Sequence, residues 1–160
     1  MRARIIEETR GNPLALLELN RGLGAAELAG GFALPDAGDL PRRIENQYIE
    51  RLGGLPPGAR QMTLLAAADP VGDTALVFRA ARLLGLDAGA ANPAVAAGLL
   101  RVGAHVRFRH PLVRSAVYRS AAARDRRAAH GALAAATDPG TDPDRRAWHR
   151  AHATAGPRCR

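Results

Sequence analysis

The sequence contains no lysine; all 23 of its basic residues are arginine. A phosphate-binding loop of the Gly-x-x-x-x-Gly-Lys-Ser/Thr type is therefore excluded, and with it the lysine and hydroxyl that hold nucleotide phosphates and magnesium in ATP-hydrolysing enzymes. Cysteine is nearly absent as well. Cys159 stands alone, so neither an internal disulfide nor a thiolate zinc site can form. Aromatic residues make up 4% of the chain, too few for a platform that stacks single-stranded nucleic acid. No apolar run approaches the ~20 residues that span a bilayer, because Arg, Asp, Gly or Pro interrupts every Leu/Ala segment. The start, Met1 to Glu8, turns acidic too soon for a secretory apolar region, and a cytoplasmic location with no membrane contact is expected. No nucleophile elbow or Ser/His/Asp arrangement is present, and Ser115 falls inside a predicted helix, so no enzyme activity is expected.

What is present is charge of one sign, unevenly placed. Up to Leu100 there are 10 Arg against 11 acids, and from Arg101 onward 13 Arg against 4, which gives −1 and +9 of the total +8. A positive C-terminal part can attract nucleic acid, an acidic partner or an acidic neighbouring domain. The bias towards Arg, with abundant Ala, Gly and Pro, has more the look of a GC-rich coding sequence than of selection for guanidinium chemistry.

Residue patterns predict a mainly α protein in three parts. Residues 1–40 read as an N-terminal helical segment and linker. A helix from about Ala3 to Thr9 is followed by a second that Asn12 caps and Pro13 opens, and the stretch from Gly22 to Leu40 is a loop with one helical turn near Ala25 to Leu28. Residues 41–120 begin with a helix from Pro41 carrying Ile44, Tyr48 and Leu52, stopped by Gly53-Gly54. A helix from Pro57 and one capped by Asp73 follow, then a short helix from Asn92-Pro93 to Leu100, with Asn92 as cap. Gly103-Ala104 then turns a hairpin between Leu100-Arg101-Val102 and His105-Val106-Arg107-Phe108. Helices followed by one small β-hairpin make a winged-helix domain. Residues 121–160 hold an Ala-rich helix from about Ala122 to Ala136 and another from Pro143 to about Ala153, a helical hairpin with a frayed tail.

The run Val106 to Tyr118 carries the chemistry. Alternating Val, Arg and Phe form a half-buried strand up to Phe108, and Leu112, Val113, Ala116 and Val117 recur at helical spacing after Pro111. His110 thus sits where strand turns into helix. Backbone N–H groups at a helix N-terminus favour anions, so His110 is placed to help hold a phosphate. Arg107 and Arg109 are candidate phosphate contacts beside it.

Two segments together, Glu8-Thr9-Arg10-Gly11-Asn12-Pro13-Leu14-Ala15-Leu16-Leu17-Glu18-Leu19 and the run Phe108 to Tyr118, resemble STAND-type signalling ATPases. More narrowly, nearly all of the chain is similar to the middle of the large ATP-binding regulators of the LuxR family. That resemblance implies an ATPase module of the AAA+ type, a helical lid (1–40 here), a winged-helix domain (41–120), a helical, TPR-like repeat region (beginning at 121) and a C-terminal helix-turn-helix. Gly11, Asn12 and Pro13 match the family's Gly-x-Pro motif, whose proline packs on the adenine. His110 matches the histidine that contacts the ADP phosphate, although Pro111 stands where many relatives have aspartate. The resemblance implies ATP or ADP as cofactor of a complete relative and none for this chain alone. Its partners would be the ATPase module and the helix-turn-helix, both expected to lie outside this fragment, with DNA met only indirectly. The function implied is a nucleotide-sensing latch in a transcriptional regulator.

Two other readings stay open: a stand-alone winged-helix DNA-binding protein, and a helical protein-interaction adaptor. The short helix after Asn92 offers no side chain suited to read a base edge. His149 and His152 lie one turn apart with His130 on the preceding helix, a spacing that can ligate zinc. With no carboxylate or cysteine to complete the set, they read better as surface histidines, no metal is expected, and Trp148 reads as a packing anchor between the two last helices.

Overall fold

The structure, a computed structural model, describes residues 40–154. The chain divides into two compact units, Met1–Gln47 and Tyr48–Arg160, and only the beginning of one helix represents the first unit among the described residues. The described residues are mainly helical with one small antiparallel sheet. In order they form α1 (Leu40–Gly53), α2 (Pro57–Ala68), α3 (Thr74–Leu83), a 3-10 turn (Ala88–Ala91), α4 (Asn92–Ala96), β1 (Leu100–Val102), β2 (Val106–Phe108), α5 (Pro111–Ser120), α6 (Ala123–Ala136) and α7 (Pro143–Ala153). Among the described residues no helix is long and apolar enough to cross a membrane.

Local chemistry sets the helix ends. Pro at the first turn opens α2, α5 and α7, where its missing N–H costs nothing. Asp73 caps α3 by accepting from the Leu76 N–H, and Asp142 caps α7 by accepting from that of Arg145. The short helix departs from expectation at both ends. The 3-10 turn runs straight into it, so Asn92 is already helical and makes no side-chain cap. It also stops at Ala96 rather than Leu100, because Gly98 adopts φ +70° and the Leu99 N–H bonds back to the Ala94 carbonyl at 2.9 Å, a left-handed glycine stop.

α2 is the central element, buried from Met62 to Ala68 and in contact with α3, α4, α5 and α6. Leu65, Val77, Val113 and Leu133, from α2, α3, α5 and α6, and Leu99 just before β1 are fully buried and define one core. α6 packs on α2 and α3, and α7 packs on α6, so the terminal helical hairpin shares this core.

The hairpin pairs Leu100 with Phe108, Arg101 with Arg107 and Val102 with Val106. A third strand-like piece reinforces it: Gly72 accepts from the Val106 N–H at 2.8 Å, and Asp73 bridges His105. Gly72 holds φ +70°, and a Cβ there would run into the Val106 carbonyl oxygen, so only glycine fits this approach.

Candidate functional site

His110 sits at the junction expected of it. Its backbone is extended (φ −149°, ψ 148°), and its Nδ1 accepts from the Leu112 N–H at 3.1 Å, so the imidazole itself is the N-cap of α5. Because Nδ1 is the acceptor, the ring proton of the neutral histidine lies on Nε2. No hydrogen-bond partner is found for that N–H among the described residues, whereas the first backbone N–H groups of α5 are already taken: Pro111 has none, Leu112 bonds the imidazole and Val113 bonds the His110 carbonyl at 3.0 Å. The Arg109 N–H prolongs the hairpin by bonding the Leu99 carbonyl at 3.2 Å, and its guanidinium lies over Gly98. Arg107 and Arg109 are both exposed. Gly11, Asn12 and Pro13 lie outside the described residues, as do Cys159 and the helices expected before Leu40.

Two arrangements were not legible from the pattern of residues. The first is a clasp at the C-terminal end of α2. The Arg114 Nε of α5 donates to the Ala67 carbonyl at 2.9 Å. One guanidinium nitrogen of Arg145, on α7, lies 2.6 Å from both carboxylate oxygens of Asp69, which also accepts from the Asp73 N–H. The Asp69 side chain is fully buried and that of Arg145 is 15% exposed, so this is a desolvated ion pair. Unsatisfied carbonyls at a helix C-terminus favour cations, and Arg114 meets that demand at Ala67, while Arg145 answers the buried Asp69 carboxylate next to it.

The second is a buried pair of histidines, which corrects the expectation of surface imidazoles. His130 and His149 are 1% and 0% exposed. Their Nδ1 atoms face each other at 3.0 Å, and the His130 Nε2 lies 2.8 Å from the Tyr118 hydroxyl. The His149 Nε2 has no hydrogen-bond partner and points to Asp69 Oδ1 at 3.9 Å. One neutral assignment fits these contacts best. Tyr118 donates to His130, the His130 Nδ1–H donates to His149, and the His149 Nε2–H faces the carboxylate; the reverse order would aim a lone pair at it. Burial, reinforced by the neighbouring histidines for His130 and opposed by Asp69 for His149, lowers both from 6.5 to about 4. Trp148 covers the pair edge-on, 5.3 Å from His130 and 4.9 Å from His149, and so does join α6 to α7 although it is 41% exposed. Among the described residues no group of three His, Cys, Asp or Glu is arranged to hold a metal ion.

Between α2, α5 and α7 runs an open groove of about 480 Å³, lined in part by Pro70, Arg114, Tyr118, Trp148 and His152. It lies against Pro111, next to His110. No family model, curated protein or solved structure matches the chain.

Proposed function

We propose that this chain serves as the nucleotide-sensing latch of an ATP-dependent transcriptional regulator of the LuxR family, a STAND-type switch working in the cytoplasm. The observation that carries this reading is the geometry of His110: a helix-capping imidazole whose Nε2–H has no partner among the described residues and can donate to an anion. The mainly helical order with one small hairpin, α2, α3, α4, β1, β2, α5, is compatible with the winged-helix domain that this reading assumes. In the closed state ADP is held between an ATPase module, Pro13 and His110. Exchange for ATP releases the winged helix and lets the regulator assemble, with its helix-turn-helix reading the promoter. No catalytic residue is assigned to this chain, since its sequence has no lysine for a phosphate loop.

The test separates capping from nucleotide contact. His110→Asn keeps a side-chain oxygen able to cap α5 but has no group where Nε2 stands. With an ATPase module supplied in trans, the latch reading expects the wild-type chain to retain ADP and His110→Asn to retain at least about tenfold less, as befits one lost hydrogen bond to a charged group. His110→Ala should lose both the nucleotide and about 1 kcal/mol of stability. Equal ADP retention by His110→Asn and wild type sinks the role of His110.

A further inference from the structure

We infer that the groove between α2, α5 and α7 is a binding site for a small aromatic carboxylate, whose flat ring lies against Trp148 and whose carboxylate rests on the Arg114 guanidinium. The inference stands apart from the nucleotide latch and uses none of the residues assigned to it. At about 480 Å³ the groove falls within the range of clefts that hold small molecules. Its charge is of one sign, because Arg114 and Arg119 line it and no Asp or Glu does. An anion therefore enters without like-charge repulsion and finds no carboxylate of the protein competing for its partner.

Arg114 is the side chain prepared for that anion. Its Nε donates to the Ala67 carbonyl at 2.9 Å, which restrains the guanidinium before any ligand arrives. Its two Nη atoms make no hydrogen bond or ion pair among the described residues. With Nε occupied, the fork that remains is the end-on pair of N–H groups, whose spacing matches the two oxygens of a carboxylate. The exposed Ser115 hydroxyl, on the next residue, offers one further donor in the same groove. The aromatic wall selects the rest of the ligand. Trp148 meets His130 and His149 edge-on, and the His152 ring lies beside it at 4.2 Å between centroids, yet the tryptophan stays 41% exposed. The His152 Nδ1–H donates to the Trp148 carbonyl at 2.8 Å, so the two rings are held together as one ledge. Tyr118, Pro70 and Pro111 extend the apolar lining. Ring faces of this kind favour a flat apolar body by stacking, and a single guanidinium edge favours a planar anion at its end.

The chain has a single tryptophan, so its indole N–H gives one signal in a proton–nitrogen correlation spectrum of the full chain, and that signal reports on the groove. Titration with trans-cinnamate should shift it with a Kd on the order of 0.1–1 mM, as suits a ligand of roughly a dozen atoms. Cinnamamide has the same shape without the charge and should bind about tenfold more weakly; cyclohexylacetate, charged but not flat, should bind several-fold more weakly. Arg114→Gln should bring cinnamate down to the affinity of cinnamamide and leave cinnamamide unchanged, the unchanged amide showing that the groove is intact. Ser115→Asp, at an exposed position, sets a carboxylate against that of the ligand and should weaken cinnamate alone. Arg150→Gln, on α7 but outside the groove, should leave both unchanged. The inference is overturned if the indole signal does not move up to about 5 mM cinnamate, or if acid and amide bind equally well. It is also overturned by an Arg114→Gln loss that acid and amide share equally, by undiminished cinnamate binding in Ser115→Asp, or by as large a loss in Arg150→Gln.

Discussion

Acidification should loosen this protein well above the range in which its carboxylates protonate, and the buried histidine pair sets the size of the effect. His130 and His149 titrate near 4 in the folded chain and near 6.5 when unfolded. A histidine whose folded pKa is depressed binds protons more readily in the unfolded state, so stability is fully present above about pH 6.5 and falls as pH drops towards 4. For one such group the linkage integral between pH 7 and pH 5 is about 2 kcal/mol, and for both it is roughly 4 kcal/mol. That is a large share of the stability of a single domain and should lower the melting temperature on the order of 10 °C. The physical source is explicit in the geometry. The chain from Tyr118 through His130 to His149 is satisfied with one proton per ring, and a second proton on either ring would place an N–H against another N–H or a charge away from water. Urea denaturation followed by circular dichroism at pH 7, 6 and 5 measures the loss, and His130→Leu/His149→Leu provides the control, since replacing both rings should flatten the dependence whatever it does to stability at pH 7. A wild-type change below about 1 kcal/mol between pH 7 and 5, or the same slope in the double variant, refutes the assignment of two buried neutral imidazoles.

Two further substitutions test the frame around the site. Asp69→Ala leaves the largely buried Arg145 guanidinium with only the more distant carboxylates of Asp73 and Asp142, 3.7 and 4.0 Å away, and removes the acceptor of the Asp73 N–H, so it should cost about 3 kcal/mol by urea denaturation, and adding Arg145→Met should recover part of that loss; additive effects would show that the pair is not coupled. Gly72→Ala combines a left-handed backbone with a collision against the Val106 carbonyl, so it should lose more than about 1–3 kcal/mol and raise hydrogen exchange at the Val106 amide, whereas Gly103→Ala at the open hairpin tip should be close to neutral; similar effects at both glycines would contradict the close approach.

The elements carrying the site were legible in the sequence because their signals are local. Alternation of Val, Arg and Phe located β2, and the proline after His110 located α5 to the residue. Asp73 was recognisable as a cap for the same reason: its partner, the Leu76 N–H, is three residues away. Asn92 failed because the cap-plus-proline pattern does not show that the residues before it have already begun to turn, and the helix after it ended early because Gly98 supplied a left-handed stop inside an apolar run. The histidines failed for a different reason. On α7 they sit among Arg, Asp and Ala, a composition that reads as a solvated face, and what buries them comes from elsewhere. Asp69 is 76 residues from Arg145, and it looks in sequence like an ordinary residue at the end of an Ala-rich helix. Only the weak hint of three histidines at helical spacing pointed there, and it pointed to a metal rather than to a neutral hydrogen-bonded chain.

The end of α2 joins what the sequence made separate. Arg114 follows His110 by one helical turn on α5, and its bond to the Ala67 carbonyl fixes that turn against α2. Two residues further, Asp69 holds Arg145 and faces His149 on α7. In the latch reading, a shift of α5 large enough to withdraw His110 from a nucleotide phosphate would either break the Arg114 contact or drag the end of α2. In the second case the Asp69 carboxylate moves relative to a guanidinium and an imidazole that are both largely desolvated, where small displacements are costly. Packed interfaces of this kind occupy discrete arrangements rather than deforming gradually. The clasp thus gives the latch reading a mechanical content: the helix that His110 caps and the terminal helical hairpin are tied to Ala67 and Asp69, two residues apart at the end of α2, so the state of one constrains the docking of the other.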